Sequence, residues 1–203
     1  MLLNAGSDTT TAGLTSTLYF LLKNPHCRQK LRNEIDAKLN SFDEGIVPYD
    51  AVRDLPYLRA CIDEALRLRP PIAYPLQRLV VAPEGTIIAG HAVRCGTVVA
   101  VSPWSIHRHK SLYKDPDIFD PERWFDETQL SNLRKYYIVF SQGPRQCLGR
   151  HIAIVELQIV ISTLIRRYDI ELLTPDQELS IYDRFNSNPG SMPVRMKRRR
   201  LPN

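Results

Sequence analysis

The ten residues Phe140-Ser141-Gln142-Gly143-Pro144-Arg145-Gln146-Cys147-Leu148-Gly149 limit what this chain can fold into more than any other stretch. A glycine-punctuated loop there delivers a cysteine just before a long apolar helix, which the pattern predicts over residues 152–168. The amino terminus of a helix presents unpaired N–H groups and a partial positive charge, and so stabilises a thiolate as nucleophile or metal ligand. Taken alone, such a cysteine reads as a small buried apolar residue near a helix start.

The rest of the chain supplies partners for that helix. Apolar residues recur densely over 9–23 (Ala12, Leu14, Leu18, Tyr19, Leu21, Leu22) and predict a buried helix ended by Asn24-Pro25, since proline cannot continue it. Leu31, Ile35 and Leu39 repeat every four residues among charges and mark an amphipathic surface helix, closed by a loop over 41–48. A third helix is expected over 57–69, stopped by Pro70-Pro71. Between Val80 and Val101 short β-branched pieces alternate with turn residues and predict short strands. Residues 103–145 show no sustained period. After the long helix, Ile170 to Leu173 and Met192 to Met196 predict a terminal hairpin region around Asn188-Pro189-Gly190.

With 43% hydrophobic and 24% charged residues the composition is that of one globular domain, and no run of roughly 18 apolar residues could span a bilayer. Cys27, Cys61, Cys95 and Cys147 stand singly without a C-x-x-C pair, which argues for reduced thiols and against a zinc site or disulfide framework. The formal charge of +5 is modest, and its densest cluster, Lys197-Arg198-Arg199-Arg200, reads as a solvated tail rather than a nucleic-acid surface.

The spacing Phe-x-x-Gly-x-Arg-x-Cys-x-Gly, complete at Phe140, Gly143, Arg145, Cys147 and Gly149, resembles the heme-binding signature of the cytochrome P450 family. The resemblance implies heme (iron protoporphyrin IX) with Cys147 as proximal iron ligand and Phe140 packed beneath the macrocycle. It gives Gly143 the tight turn, pairs Arg145 with a heme propionate, and lets the backbone approach the porphyrin closely at Gly149. Three further motifs follow in the family's order. Glu64 and Arg67 match its Glu-x-x-Arg helix, and Arg123 in Pro121-Glu122-Arg123-Trp124 matches the partner arginine; together they imply a buried structural triad locking the cysteine loop to the core. Ala5-Gly6-Ser7-Asp8-Thr9-Thr10 reads locally as a helix start capped by Asn4, Ser7 or Asp8. It also resembles the family's oxygen-activation motif, in which the helix continues upstream, a threonine hydroxyl bonds back to a preceding carbonyl, and Asp8 and Thr9 deliver protons. Arg78, nine residues beyond Arg69, resembles the second propionate-binding residue.

The fold implied is mainly α with small β-sheets, the carboxy-terminal half of the cytochrome P450 fold, with residues 1–203 forming one partial domain. The activity implied is a heme-thiolate monooxygenase inserting one atom of O2 into a small, apolar organic substrate; a truncated heme-binding fragment without catalysis is the alternative. Substrate contacts by family position are Ala5, Ala73, Tyr74, Pro75, Leu76, Phe185 and Asn186, for which ordinary core packing is the plainer reading. The resemblance further implies an NADPH-cytochrome P450 reductase partner on a basic surface including Arg150, Arg166 and Arg167, each of which also reads as part of a solvated helix face. Family members are more than twice as long, so an amino-terminal anchor to the endoplasmic reticulum membrane and the helices roofing the pocket are expected upstream, and the 203 residues alone are expected to fold poorly.

Overall fold

A computed structural model describes residues 2–39 and 45–200. The architecture is mainly α with small β-sheets, the class the sequence implies. Helix α1 (Leu2–Lys23) ends where Asn24 donates both its backbone N–H and its side-chain N–H to the Phe20 carbonyl, and Pro25 opens α2 (Pro25–Lys38). The loop expected over 41–48 falls partly outside the described residues. After the one-turn α3 (Tyr49–Val52), Pro56 opens α4 (Pro56–Leu68). The amino end of α4 is capped from α2, because the Glu34 carboxylate accepts from Tyr57 N at 2.8 Å and Leu58 N at 2.9 Å.

Helix α4 is the centre of the core. Every residue from Ala60 to Leu68 is buried, Glu64 and Arg67 included, and α1, α2 and the later long helix α7 (Arg150–Arg167) pack around it. Gly13 lets them close together: a Cβ there would lie 3.1 Å from Leu66 Cδ2 on α4 and 3.5 Å from Leu157 Cδ2 on α7. Helix α7 itself buries only the face carrying Ile154, Leu157, Ile161 and Ile165, while Ile152 is exposed.

The sheets are four antiparallel pairs. Strands β1 (Arg78–Leu79) and β4 (Val98–Val99) flank the hairpin of β2 (Thr86–Ile88) and β3 (His91–Val93), whose turn places Ala89 and Gly90 at φ 49° and 82°. Positive φ at both central residues matches the twist of the flanking strands. Strand β5 (Tyr168–Leu172) pairs with β8 (Val194–Arg198), and between them β6 (Ile181–Arg184) pairs with β7 (Asn186–Pro189). The expected terminal hairpin therefore exists in two nested parts. Its tight turn is at Phe185, φ 74°, not at Asn188-Pro189-Gly190, because Pro189 lies opposite Ile181 at the strand end.

The stretch 103–145 is more ordered than its composition suggests. It holds α5 (Pro103–Ile106), a 3-10 turn over Pro121–Phe125, α6 (Glu127–Tyr136) and a short 3-10 turn at Gly143–Arg145. Asp126 caps α6 by accepting from Thr128 N. The helix is otherwise polar and anchors through Leu133, so no apolar stripe announces it. The basic cluster near the end is not a free tail. Lys197 and Arg198 lie in β8, and the Arg199 side chain pairs with Asp36 at 2.8 Å while donating to the Ile165 and Arg166 carbonyls that end α7.

Candidate functional site

The Glu64–Arg67–Arg123 cluster is the most completely satisfied polar group in the molecule. Arg67 donates twice to Glu64 (Nε to Oε2 and Nη2 to Oε1, both 2.9 Å), and its remaining N–H groups go to the carbonyls of His107, Pro116 and Ile118 at 2.8, 2.7 and 3.3 Å. All five guanidinium donors are thereby used, which is how a charged side chain can lie wholly buried. Glu64 in turn accepts from Arg123 Nε at 2.8 Å, Asp120 N at 3.0 Å and Trp124 Nε1 at 3.1 Å. Arg123 reaches on to the Lys114 carbonyl at 2.8 Å. The network thus pins the whole segment 107–124 onto α4.

His107 and Arg108 extend it to the carbonyls that α4 leaves unpaired at its end. His107 Nδ1 lies 3.2 Å from the Arg67 carbonyl, and Arg108 Nη2 donates to the Leu68 carbonyl at 2.7 Å. Burial, assisted by the Arg67 charge, lowers the His107 pKa to about 3. Beside it Tyr137 donates to Asp63 at 3.1 Å and stacks on the imidazole, centroids 5.7 Å apart. Burial raises the Asp63 carboxyl pKa against the opposing pull of Arg59, whose Nε is 2.8 Å away. None of Asp63, His107, Trp124 and Tyr137 was singled out from the sequence. Apart from Arg59, four residues before Asp63 on α4, the side-chain hydrogen-bond partners of these residues are distant in the chain, so little local marks them.

The cysteine loop springs from this network. Ser141 N–H donates to the Ile138 carbonyl at 3.0 Å, Cys147 N–H to the Phe140 carbonyl at 2.8 Å, and Gln146 N–H to the Gly143 carbonyl at 3.0 Å. Gly143 takes φ 72°, a left-handed turn in which glycine has no side chain to clash. Ser141, at φ 56°, adopts a similar turn with a side chain to accommodate. Gly149 is the residue before α7 starts, so Cys147 stands two residues ahead of that amino terminus with an exposed thiol. The four cysteines form no disulfide, and among the described residues no cluster of His, Cys, Asp or Glu could hold a metal ion. Phe140 is half-buried under the Arg150 guanidinium, 5.8 Å from the ring centre. A cleft of about 710 Å³, lined by Arg59, Asp63, Trp124, Tyr137, Gln146 and Arg150, borders the loop.

The loop surface suits a large planar apolar group with acidic edges. Leu148 and Ile152 beside the thiol are 91% and 65% exposed, an unusual placement for such side chains at adjoining turns. Arg145 and Arg78 are both exposed, and among the described residues neither has a carboxylate partner; Arg78 donates only to the carbonyl of neighbouring Gln77, 2.8 Å away. Cysteine sulfur, guanidinium and apolar surface together are a donor set that fits heme.

At the other end of the chain, α1 runs unbroken through residues 2–23, so the capped helix start at Asn4, Ser7 or Asp8 does not occur. Thr9 Oγ1 donates instead to the Ala5 carbonyl at 2.7 Å, and Asp8 is exposed beside it. The segment carrying Ala73, Tyr74, Pro75 and Leu76 is held to two neighbours: Ser102 donates to the Ala73 carbonyl at 3.2 Å and Ser187 N to the Pro71 carbonyl at 2.8 Å. The second bond draws this segment toward the hairpin that carries Phe185 and Asn186, and α1 packs against the same hairpin. Phe185 and Tyr74 are both exposed.

The basic surface expected from Arg150, Arg166 and Arg167 is not one surface. Arg166 is fully buried, pairing with Asp36 at 2.8 Å and donating to the Leu39 carbonyl. Arg150 and Arg167 stand at opposite ends of α7, roughly 25 Å apart at the helical rise.

The family model for cytochrome P450 matches residues 1–195. The cytochrome P450 monooxygenases cicH and pkfB of Emericella nidulans are 39% and 41% identical, each over 97% of this chain and covering 40% and 39% of the relative. The chain thus spans about two fifths of the length of the curated relatives it matches. Among solved structures, the cytochrome P450DA heme domain superposes with a TM-score of 0.84 at 28% identity, over 95% of this chain and 41% of that one.

Proposed function

Because this chain belongs to the cytochrome P450 family, we propose that it is the heme-ligating part of a monooxygenase that inserts one atom of O2 into a small, apolar organic substrate. The observation that carries the reading is the cysteine loop: an exposed thiol just ahead of α7, its own N–H fixed on the Phe140 carbonyl at 2.8 Å. The family and the heme-domain neighbour support heme as the cofactor. Bound heme supplies the reductive activation of dioxygen and the transfer of an oxygen atom to an unreactive C–H bond.

In this reading Cys147 would hold the heme iron, and a thiolate there would be an electron-rich ligand suited to oxygen activation. Arg145 and Arg78 pair with the two propionates, charge-assisted contacts in which the planar guanidinium suits a carboxylate. Phe140 would pack against the group, and Gly143 and Gly149 would allow the backbone to turn and approach it. Glu64, Arg67 and Arg123 do no chemistry; they hold the loop. Thr9 donates to the Ala5 carbonyl within the unbroken α1, and with Asp8 it would hand protons on through water. Ala5, Ala73, Tyr74, Pro75, Leu76, Phe185 and Asn186 line the substrate's approach. Electrons come from an NADPH-cytochrome P450 reductase, with Arg150 the basic residue best placed to meet its acidic face. Among the described residues no helix is long and apolar enough to cross a membrane, and attachment to the endoplasmic reticulum membrane is part of the proposed reading for the full-length protein.

Coverage of two fifths of its relatives favours a second reading for these residues by themselves, a heme-binding fragment without catalysis. The reduced carbon monoxide difference spectrum tests both. The holoprotein, with whatever sequence accompanies these residues, should show a thiolate-type band that Cys147→Ala abolishes. Survival of that band in the variant would overturn the assignment. A normal band without NADPH-dependent product would favour the fragment.

A further inference from the structure

His107 lies between the end of α4 and the root of the cysteine loop, wholly enclosed. Its two ring nitrogens meet groups of opposite character. The Ile138 backbone N–H donates to Nε2 at 3.0 Å, and Nδ1 lies 3.2 Å from the Arg67 carbonyl. A backbone N–H can only donate and a carbonyl can only accept, so Nε2 carries the lone pair and Nδ1 the proton. The tautomer follows from the two partners alone. A second proton would set N–H against N–H, with the Arg67 guanidinium also near. The imidazole is therefore held neutral, as a bridge with one donor and one acceptor.

What the bridge holds is the starting peptide of the loop. The Ile138 carbonyl accepts from Ser141 N–H at 3.0 Å, and two residues on, the Phe140 carbonyl accepts from Cys147 N–H at 2.8 Å. Between them Ser141 sits at φ 56° and Gly143 at φ 72°. A side-chain-bearing residue in the left-handed region persists only where the surroundings over-determine it. Gln142 adds one tie, donating from Nε2 to the Lys135 carbonyl at 2.8 Å, but that bond is on the exposed side. The buried tie to the Ile138 peptide itself, next to the Tyr137 hydroxyl that donates to Asp63, is His107. Through the Arg67 carbonyl it connects the loop to the residue whose side chain anchors the Glu64 network.

We infer that His107 is a positioning residue for the cysteine ligand, which by bridging the Arg67 carbonyl and the Ile138 N–H fixes the loop in the one register that aims the Cys147 sulfur. The inference rests on the proposed ligation by Cys147. Loss of the bridge frees the Ile138 turn and with it the Phe140 carbonyl that receives the Cys147 N–H. The sulfur then wanders relative to its metal, and a protonated or exchanged neutral ligand replaces the thiolate.

The test uses the reduced carbon monoxide spectrum of the heme-loaded protein, complete with any accompanying sequence, in four variants. Cys147→Ala separates the parent reading: if its thiolate-type band persists, ligation by Cys147 is wrong and the inference falls with it. His107→Phe keeps the ring and removes both polar atoms; the ratio of thiolate-type to neutral-ligand absorption should fall roughly tenfold, the order set by a buried donor left without an acceptor. Ile35→Ala, which opens a cavity in α2 away from the loop, should lose stability while keeping the wild-type ratio. His107→Gln, whose longer amide can bring its oxygen to the Ile138 N–H and an N–H to the Arg67 carbonyl, should restore most of the ratio. A folded His107→Phe protein with the wild-type ratio, or an equal fall in Ile35→Ala, overturns the inference. If His107→Phe does not fold, His107→Gln decides: a retained thiolate band supports the bridge, and a folded protein with a largely neutral-ligand band refutes it.

Discussion

Replacing Glu64 by glutamine keeps its shape and removes its charge, so its effect follows from the bonds it accepts. Oε1 receives three N–H groups, from Arg67, Arg123 and Asp120, and Oε2 receives two, from Arg67 and Trp124. A glutamine can set its oxygen on only one side. In the better orientation the new NH2 faces the two donors Arg67 Nε and Trp124 Nε1; flipped, it faces three. Hydrogen bonds to a charged group contribute about 1.5–3 kcal/mol each, and removing one partner of a buried ion pair costs about 3–5 kcal/mol. Both routes converge on about 4 kcal/mol, a fall of roughly a thousandfold in the folded-to-unfolded ratio. Guanidinium unfolding followed by far-ultraviolet circular dichroism measures it, read as a midpoint shift at unchanged slope. A loss below about 1 kcal/mol would show that Arg67 finds other acceptors and that the carboxylate is not what holds the cluster.

Asp63 lies one residue away and should behave oppositely. Burial raises its pKa, so the folded state holds this proton more tightly than the unfolded chain, and the group opposes folding as pH rises through its folded value. Asp63→Asn should therefore change neutral-pH stability by less than about 1 kcal/mol in the same denaturation experiment. His107 has the other sign: with its pKa lowered to about 3, the unfolded chain binds the extra proton first. Stability should fall as pH drops below about 6.5, by roughly 2 kcal/mol at pH 5, and the slope should vanish in His107→Asn. Gly13→Val would push side-chain carbon against Leu66 and Leu157 and should cost about 1–3 kcal/mol, seen as a lower thermal midpoint. Thr9→Val deletes only the hydroxyl bond to Ala5 and should leave stability within about 0.5 kcal/mol. If Thr9 relays protons, the yield of oxidised product per NADPH consumed should nevertheless drop in that variant.

Prolines made the helix limits legible: Pro25 and Pro70 fall where α1 and α4 have just ended, and the Glu-x-x-Arg spacing identified two members of the buried network. What stayed hidden was whatever depends on distant partners. The pattern over 57–69 shows a helix but not how deeply it is enclosed, which depends on the three carbonyls and three N–H donors from residues 107–124 that complete the shells of Glu64 and Arg67. Arg166 looked like surface charge for the same reason, its acceptors Asp36 and Leu39 lying far back in the chain. Helix α6 has a capping aspartate but only a narrow apolar contact, so a window tuned to periodicity passes over it. The Asn188-Pro189-Gly190 turn signal misled, since a proline also fits the end of an edge strand.

Arg199 fastens the far end of α7, the helix whose near end follows the cysteine. Its backbone N–H donates to the Arg167 carbonyl at 2.8 Å, and its guanidinium reaches Asp36 and the two preceding carbonyls. A nonsense codon at position 199 would delete only five of the 203 residues. It should nonetheless act as a severe allele, because it removes the contacts that fasten α7 at its far end.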